Sequence, residues 1–312
     1  MINLFPQAHS ATRRLAQLPR EMEKALVNQG RILTQLNRQL ESTDLCDYEF
    51  RIFSQWGEDG IIQYLTRSIP EISRTFIEFG VEDFSESNCR FLMLKDNWSG
   101  YVIDGSHDHI RAIQAKDYYW KHDLTAVEAF IDKDNINGLL ENSRFGTEPG
   151  ILSVDIDGVD FFVLDALSDW RPSIVIVEYN GLFGFKDPVS VPYSPAFSRF
   201  EAHYSGLYWG ASLTAFHELL RDRGYALVGT NRVGSNAFFV RRDHLGQKLQ
   251  ERLPKEAWRP VSFRDCRGQD GQLHFPSQEE RLQIIAQLPL VNTITGETLH
   301  VRDLCNGTCG LP

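Results

Sequence analysis

The stretch TFIEFGVEDFSESN, residues Thr75–Asn88, decides how the rest of the chain is read. Phe76, Ile77 and Phe79 are strand formers, and the run gives out at Gly80, the residue type that tolerates the backbone of a sharp exit from a strand. Glu78 and Gly80 therefore sit at a strand's carboxyl end. GYVIDG, residues 100–105, repeats the pattern, an apolar run closing on Asp104 and Gly105. Two strands that end in an acid and a glycine, joined by a helical crossover, supply what a nucleoside crevice needs: a tight turn for close backbone approach and a carboxylate to accept hydrogen bonds from ribose hydroxyls. The G-x-G-x-x-G fingerprint of dinucleotide folds is missing, because Val81, Glu82 and Asp83 follow Gly80. Acids crowd the place where a pyrophosphate would lie, which points away from NAD and ATP and toward a ligand that is cationic or has no phosphates.

Outward from that turn the chain alternates strands with helices. Upstream, FSQWGEDG (residues 53–60) is a polar, glycine-punctuated loop ahead of a helix that runs to Pro70. Capping accounts for Asp59 but leaves Gln55 and Trp56 unexplained. Downstream, helices are expected over 87–95 and 110–115, a third strand at Tyr118–Trp120 with His122 and Asp123 near its end, and a fourth strand closing on Asp155 and Asp157. A fifth, Ile174–Glu178, is the purest parallel-strand run and leads to Asn180. A long aromatic loop (181–209), a helix (212–223) and two strands separated by a short turn (225–229 and 236–240) complete an α/β pattern with an antiparallel edge hairpin. In such sheets the chemistry lies beyond the strands' carboxyl ends, and here those ends carry Glu78, Asp104, Asp155, Asp157, Glu178 and Asn180.

Three regions follow: an N-terminal helix for dimerisation or docking (1–45), a ligand-binding domain (46–245) and a C-terminal extension packed on it (246–312). In the first, Leu15, Leu18, Met22, Ala25, Ile32 and Leu36 recur at spacings of three and four with polar residues between, a stripe narrow enough to pair with another helix. Gln29 interrupts that seam, and Pro19 is placed to kink or restart the helix. A homo-oligomer through residues 11–41 is expected.

Composition bounds the function. With 312 residues, 42% hydrophobic and 24% charged, the chain is ordinary globular protein. A net charge of −10 disfavours nucleic-acid binding. No run approaches the roughly 18 apolar residues of a membrane span and no secretory pattern opens the chain, so a cytoplasmic protein is expected. Five scattered cysteines fit reduced thiols, and Cys305-x-x-x-Cys309 lacks a second pair to complete a metal site.

Taken as an ordered set, SQWGEDGI (54–61), TFIEFGVEDFSESN, GYVIDGS (100–106), LSVDIDGVDF (152–161), IVIVEYN (174–180) and the GYALVGTN…NAFFV hairpin (224–240) resemble the FkbM-like methyltransferases, within the class I S-adenosylmethionine-dependent superfamily. The segment 264–291 is similar to the extension on some of these proteins, which often accompany polysaccharide or glycolipid gene sets. The resemblance implies a Rossmann-like, mostly parallel seven-stranded sheet with S-adenosylmethionine over its first two strand ends. It makes Glu78 and Gly80 the first cofactor motif, with Glu82 and Asn88 in the same loop, and Asp104, beside Gly105, the acid that holds the ribose. Val81-Glu82-Asp83 departs from the family's usual glycine after Gly80. Ser54 and Gln55 are placed to close over the amino-acid end of the cofactor, Asp123 to contact adenine, and Asp155 to border it.

Methyl transfer to a hydroxyl needs in-line positioning and a means of removing a proton. Asp155 and Asp157 are the first candidates, with His122 and His203 as alternative bases. Asp155, Asp157, Glu178 and Asn180 offer oxygen ligands from adjacent strand ends that suit Mg²⁺ or another divalent cation, as in metal-dependent O-methyltransferases. Tyr179, Tyr193, Tyr204, Tyr208 and Trp209 offer ring faces for a sugar or glycan acceptor. Two other readings stand beside this one: a non-catalytic scaffold that docks an enzyme through its N-terminal helix, and a metal-dependent hydrolase using Asp155, Asp157 and Glu178.

Overall fold

In the computed structural model, which describes residues 5–264 and 266–304 with side chains from residue 17 onward, the apolar runs become strands of one sheet. The strands are β1 (Thr75–Phe79), β2 (Ser99–Asp104), β3 (Leu124–Glu128), β4 (Ile151–Val154), β5 (Ile174–Glu178), β6 (Val189–Ser190), β7 (Tyr225–Thr230), β8 (Asn236–Arg241), β9 (Pro289–Asn292) and β10 (Thr298–His300). Seven of them form a sheet in the order β3-β2-β1-β4-β5-β8-β7, and β10-β9-β6 form a second, smaller one. The first five pair in parallel, while β8 runs antiparallel to both β5 and β7. The order reverses direction after β1, which places a crevice at the carboxyl ends of β1 and β4.

The helices are α1 (Phe5–Asn37), α2 (Glu58–Ser68), α3 (Arg90–Asp96), α4 (His107–Gln114), α5 (Asp117–Lys121), α6 (Ile136–Glu141), α7 (Asp160–Ala166), α8 (Arg199–Ala202), α9 (Leu213–Asp222), α10 (Pro254–Ala257) and α11 (Gln278–Ile284). They cover both faces of the large sheet. Ile77, Phe79, Leu152 and Val175 face α6, α7 and α9, whereas Phe76, Val102, Ile151 and Ile176 face α2, α3 and α4. Since side chains alternate along a strand, Glu78, Asp104 and Glu178, each two residues beyond Phe76, Val102 and Ile176, emerge on the same side of the sheet.

Two local expectations are corrected. Tyr118–Trp120 lie in helix α5, because Tyr118 is buried against Phe84 (5.9 Å between ring centroids) and under the Arg90 guanidinium. The third strand starts later, at Leu124. Pro19 lies inside an uninterrupted α1. The loop after β5 folds into β6, α8 and a 3₁₀ turn, and β6 carries the small sheet in which the C-terminal β9 and β10 pair. Cys305 and Cys309 lie outside the described residues. None of the described helices is long and apolar enough to cross a membrane.

Candidate functional site

Beyond the carboxyl ends of β1, β2, β4 and β5 opens a cavity of about 580 Å³, within the range of small-molecule sites. Its floor is the turn after β1. Gly80 has φ +64°, and a Cβ there would fall 1.8 Å from the carbonyl oxygen of Asp155. Its N–H donates to the Ile103 carbonyl (3.0 Å). Only glycine lets β1 leave the sheet pinched between β2 and β4 in this way. The next residue but one, Glu82, is also left-handed (φ +47°), which turns its N–H onto Asp104 Oδ2 at 2.8 Å. Asp104 Oδ1 accepts from the Ser106 N–H (2.8 Å) and lies 3.0 Å from His109 Nδ1. Asp104 thus ties the two turns together and still lines the cavity.

Glu78 is buried and braces the following loop. It accepts from Ser87 Oγ and from the Asn88 N–H, both at 2.7 Å, and from the Cys89 N–H at 3.2 Å. Burial outweighs those bonds and pushes its carboxyl up to about 7. The Asn88 amide donates to Ser153 Oγ (3.1 Å), carrying the loop across to β4.

The SQWGEDGI loop is held by its two acids. Glu58 Oε2 accepts from the N–H groups of Trp56 and Gly57, and its Oε1 accepts from the amides of Asn231 and Asn236 on the β7–β8 hairpin (2.6 and 3.0 Å). Asp59 Oδ2 accepts from three consecutive N–H groups, those of Ile52, Phe53 and Ser54, and burial pushes it up to about 6. With the loop fixed at both ends, Gln55 and Trp56 face the cavity. Trp56 stacks on Phe263 of the C-terminal extension (5.7 Å, 25° between planes).

Across the cavity from that pair, ligand oxygens of Asp155, Asp157 and Glu178 lie within 4.8 Å of one another. Asp160 shapes this corner by accepting from the N–H groups of Ile156 (2.7 Å) and Gly158 (2.9 Å), and it is itself raised to about 6 by burial. Asp157, with φ +54°, turns outward onto Arg199 Nη1 (2.8 Å), whose guanidinium stacks over Trp209. Asp155 and Glu178 have no such cation in contact among the described residues. Burial first, and then the neighbouring negative charges, hold both well above the usual carboxylate range. Like charges this close disfavour each other's ionisation, which adds to the effect of burial. Glu178 Oε2 is buried without a hydrogen-bond partner among the described residues.

The cavity wall therefore collects Gln55, Glu78, Gly80, Glu82, Asn88, Asp104, Gly105, Asp155, Asp157 and Glu178. Five other sequence candidates fall elsewhere. Ser54 is fully buried and exchanges hydrogen bonds with Asp59, Oγ to Oδ2 at 2.8 Å and Asp59 N–H to Oγ at 3.0 Å, so it is spent on the first turn of α2 and is not on the cavity wall. His122 and Asp123 precede β3, at the amino ends of the parallel strands and off the cavity, where the Asp123 carbonyl accepts from the Gly100 N–H. His203 pairs with Ser205 Oγ (2.8 Å) behind the cavity wall. Asn180 is buried off the cavity wall, with its amide spent on the carbonyls of Leu207 and Trp209 and its oxygen accepting from the Leu182 N–H. Of the aromatic candidates, Tyr179, Tyr208 and Trp209 are core side chains, and Tyr193 and Tyr204 are not on the cavity wall.

Sequence reasoning missed Phe130, Arg199 and Phe263. Phe130 follows the true end of β3, is 60% exposed and lies over Gly105 (3.5 Å from a Cβ built there). The alternating LTAVE run that precedes it was the available signal.

The order β3-β2-β1-β4-β5-β8-β7, with β8 alone reversed against β5, decides the fold. The sheet is Rossmann-like, mostly parallel with an antiparallel edge hairpin. No family model and no curated protein matches the chain. Among solved structures it is similar to the N-terminal domain of EvdMO1 with SAH bound (9% identity over 57% of this chain and 76% of that one, TM-score 0.36). It is similar to an O-methyltransferase family protein from Burkholderia thailandensis (12%, 59% and 57%, 0.36) and to an S-adenosylmethionine-dependent methyltransferase from Clostridium acetobutylicum ATCC 824 (8%, 59% and 89%, 0.38). Likenesses this distant carry no argument about chemistry, which rests on the cavity itself.

Proposed function

We propose that this protein is an S-adenosylmethionine-dependent O-methyltransferase of the FkbM-like kind, acting on a hydroxyl of a sugar or glycan precursor. The observation that carries the reading is the lining of the cavity beyond the strand ends, which we read as two halves. One half is a nucleoside berth made by the Gly80 turn, Asp104 and the slot between Gly105 and Phe130. The other is an acceptor pocket bounded by the Asp155–Glu178 pair and the Trp56–Phe263 stack.

The donor set fits the cofactor. Glu78, Glu82, Glu86, Asp104, Asp155, Asp157 and Glu178 line the cavity against Arg199 and Arg264, an acidic surround that suits a sulfonium ligand without phosphates. Asp104 is placed for the ribose hydroxyls and Phe130 for the adenine face, while Gln55 and Asn88 border the methionine end. Bound there, S-adenosylmethionine supplies an electrophilic methyl group. The chain's own residues align the acceptor oxygen and take its proton. Orientation alone contributes up to roughly 7–11 kcal/mol in favourable model systems. The proton passes to whichever of Asp155 and Glu178 is ionised, since a buried carboxylate of raised pKa is a stronger base than a solvated one. Trp56 and Phe263 offer ring surface to the C–H face of a pyranose. The trio Asp155, Asp157 and Glu178 are also the residues that would hold a divalent cation, whose chemistry would be to acidify the acceptor hydroxyl.

The test has two stages. Calorimetry with S-adenosylhomocysteine should show binding, and no heat or thermal shift at saturating ligand overturns the reading. Radiolabelled methyl transfer is then screened against sugars and lipid-linked glycans. Glu178→Gln should slow transfer by roughly 10²–10⁴-fold while S-adenosylhomocysteine still binds. A hydrolase using the same trio predicts instead that Asp104→Ala spares activity and chelation abolishes it.

A further inference from the structure

Helix α1 presents two apolar faces, and only one of them has a partner among the described residues. Leu26, Val27 and Leu33 pack with Phe50, Ile52, Phe53 and Phe91. Gly30 sits so close to the Phe91 ring that an added Cβ would fall 2.3 Å from it. Glu23 accepts from Arg90 Nη2 (2.5 Å), and the Asn37 amide donates to the Tyr48 carbonyl (2.6 Å). These contacts fix the helix's rotation, so it does not roll to bury its other side.

That other side carries Leu18, Met22, Ile32 and Leu36, which are 48, 61, 63 and 56% exposed. With Ala25 and Gln29 they occupy positions 18, 22, 25, 29, 32 and 36, stepping by four and three in strict alternation. This is a heptad seam, with Leu18, Ala25 and Ile32 at one core position and Met22, Gln29 and Leu36 at the other.

We infer that this seam joins two copies of the chain as a parallel, in-register coiled coil. Gln29 selects that occupant. In a parallel pair each core position faces its own counterpart, so Gln29 meets Gln29 and each amide can both give and take a hydrogen bond. An antiparallel pair sets Gln29 against Ala25 or Ile32, and a purely apolar partner likewise leaves the buried amide unpaired, which is costly. The flanking positions agree with a self-complementary pairing. Glu21, Asn28 and Gln35 lie on one flank and Leu26 and Leu33 on the other, so no like charges oppose across a parallel seam. Ala25 allows close approach at its layer. The face packed on the domain lies about a third of a turn round the helix from the seam, so both domains sit outboard. The seam from Leu18 to Leu36 is roughly 28 Å long at 1.5 Å per residue. That is less contact than the roughly 800 Å² per partner of a standard interface, so the dimer should dissociate on dilution.

Sedimentation of the full chain over a dilution series should show a monomer–dimer equilibrium. Ile32→Asp with Leu36→Asp should abolish the dimer while leaving the melting temperature of the fold unchanged, since both side chains face solvent in the single chain. In a Cys305→Ser, Cys309→Ser background, Gln29→Cys should form a disulfide-linked dimer under mild oxidation and Lys24→Cys should not. A monomer at every concentration, a dimer that survives the two aspartates, or a Gln29→Cys variant that fails to cross-link overturns the inference.

Discussion

Replacing Gly80 by alanine tests the geometry on which the site depends. The added Cβ would lie 1.8 Å from the Asp155 carbonyl oxygen, and real Cβ atoms essentially never come within 3.0 Å of a neighbour, so β1 or β4 must retreat by 1.2 Å, the difference of the two. The neighbour is backbone, which cannot rotate aside. Holding a non-glycine residue at φ +64° costs about 1–2 kcal/mol. Forcing two packed strand ends apart costs about 1–3 kcal/mol more. The expected destabilisation is thus about 2–5 kcal/mol, which for a chain of 312 residues lowers the melting temperature by roughly 3–8 °C. Gly224→Ala is the control: its φ is +85°, but a Cβ there meets nothing within 4 Å, so it should carry only the conformational cost. Differential scanning calorimetry of both variants decides the matter. If Gly80→Ala melts with Gly224→Ala, the close approach of β1 to β4 is not what makes glycine necessary. Titration of S-adenosylhomocysteine into Gly80→Ala should also show weakened binding, because the same displacement moves Asp104's partner Glu82.

The pH dependence of stability follows from Glu78, whose carboxyl is raised from 4.5 to about 7. Below about pH 4.5 it is protonated in both folded and unfolded chains; between pH 4.5 and 7 only the unfolded chain releases the proton, so stability falls as pH rises, by about 3 kcal/mol in all. Glu78→Gln should flatten chemical denaturation midpoints over that window, and an unchanged slope refutes the assignment. Asp59 and Asp160, both raised to about 6, and Asp155 and Glu178, raised by burial, act in the same direction and contribute to the slope that persists. At Phe130, truncation to alanine should weaken S-adenosylhomocysteine roughly 10- to 100-fold in calorimetry, the worth of an aromatic stacked on a base, without lowering the melting temperature of a residue already exposed. Unaltered affinity would remove the ring from the nucleoside berth.

Where the residues alone sufficed, it was because burial on both faces leaves an unmistakable record. The runs at 75–79, 99–104, 151–154 and 174–178 are nearly continuous in apolar residues because helices cover them on both sides, and their terminal acids and glycines mark the rim. The edge strand β3 is different. Its burial alternates, its apolar content is thin, and the richer YYW run just before it looks more like a strand while folding as a helix. That one slip carried His122 and Asp123 to the wrong end of the strand and hid Phe130.

What the linear order of residues determined was the α/β alternation, the place of the Gly80 turn and the acids at the strand ends, since these depend on local periodicity and backbone freedom. Tertiary structure alone decided which of those acids are braces and which face the cavity. Asn180 is consumed by the Leu207 and Trp209 carbonyls and Glu58 by the Asn231 and Asn236 amides, groups that only folding brings near, whereas Asp155 and Glu178 are pressed together with no cation in contact among the described residues. A side chain's chemistry is set by the partners that reach it, and those partners come from distant parts of the chain.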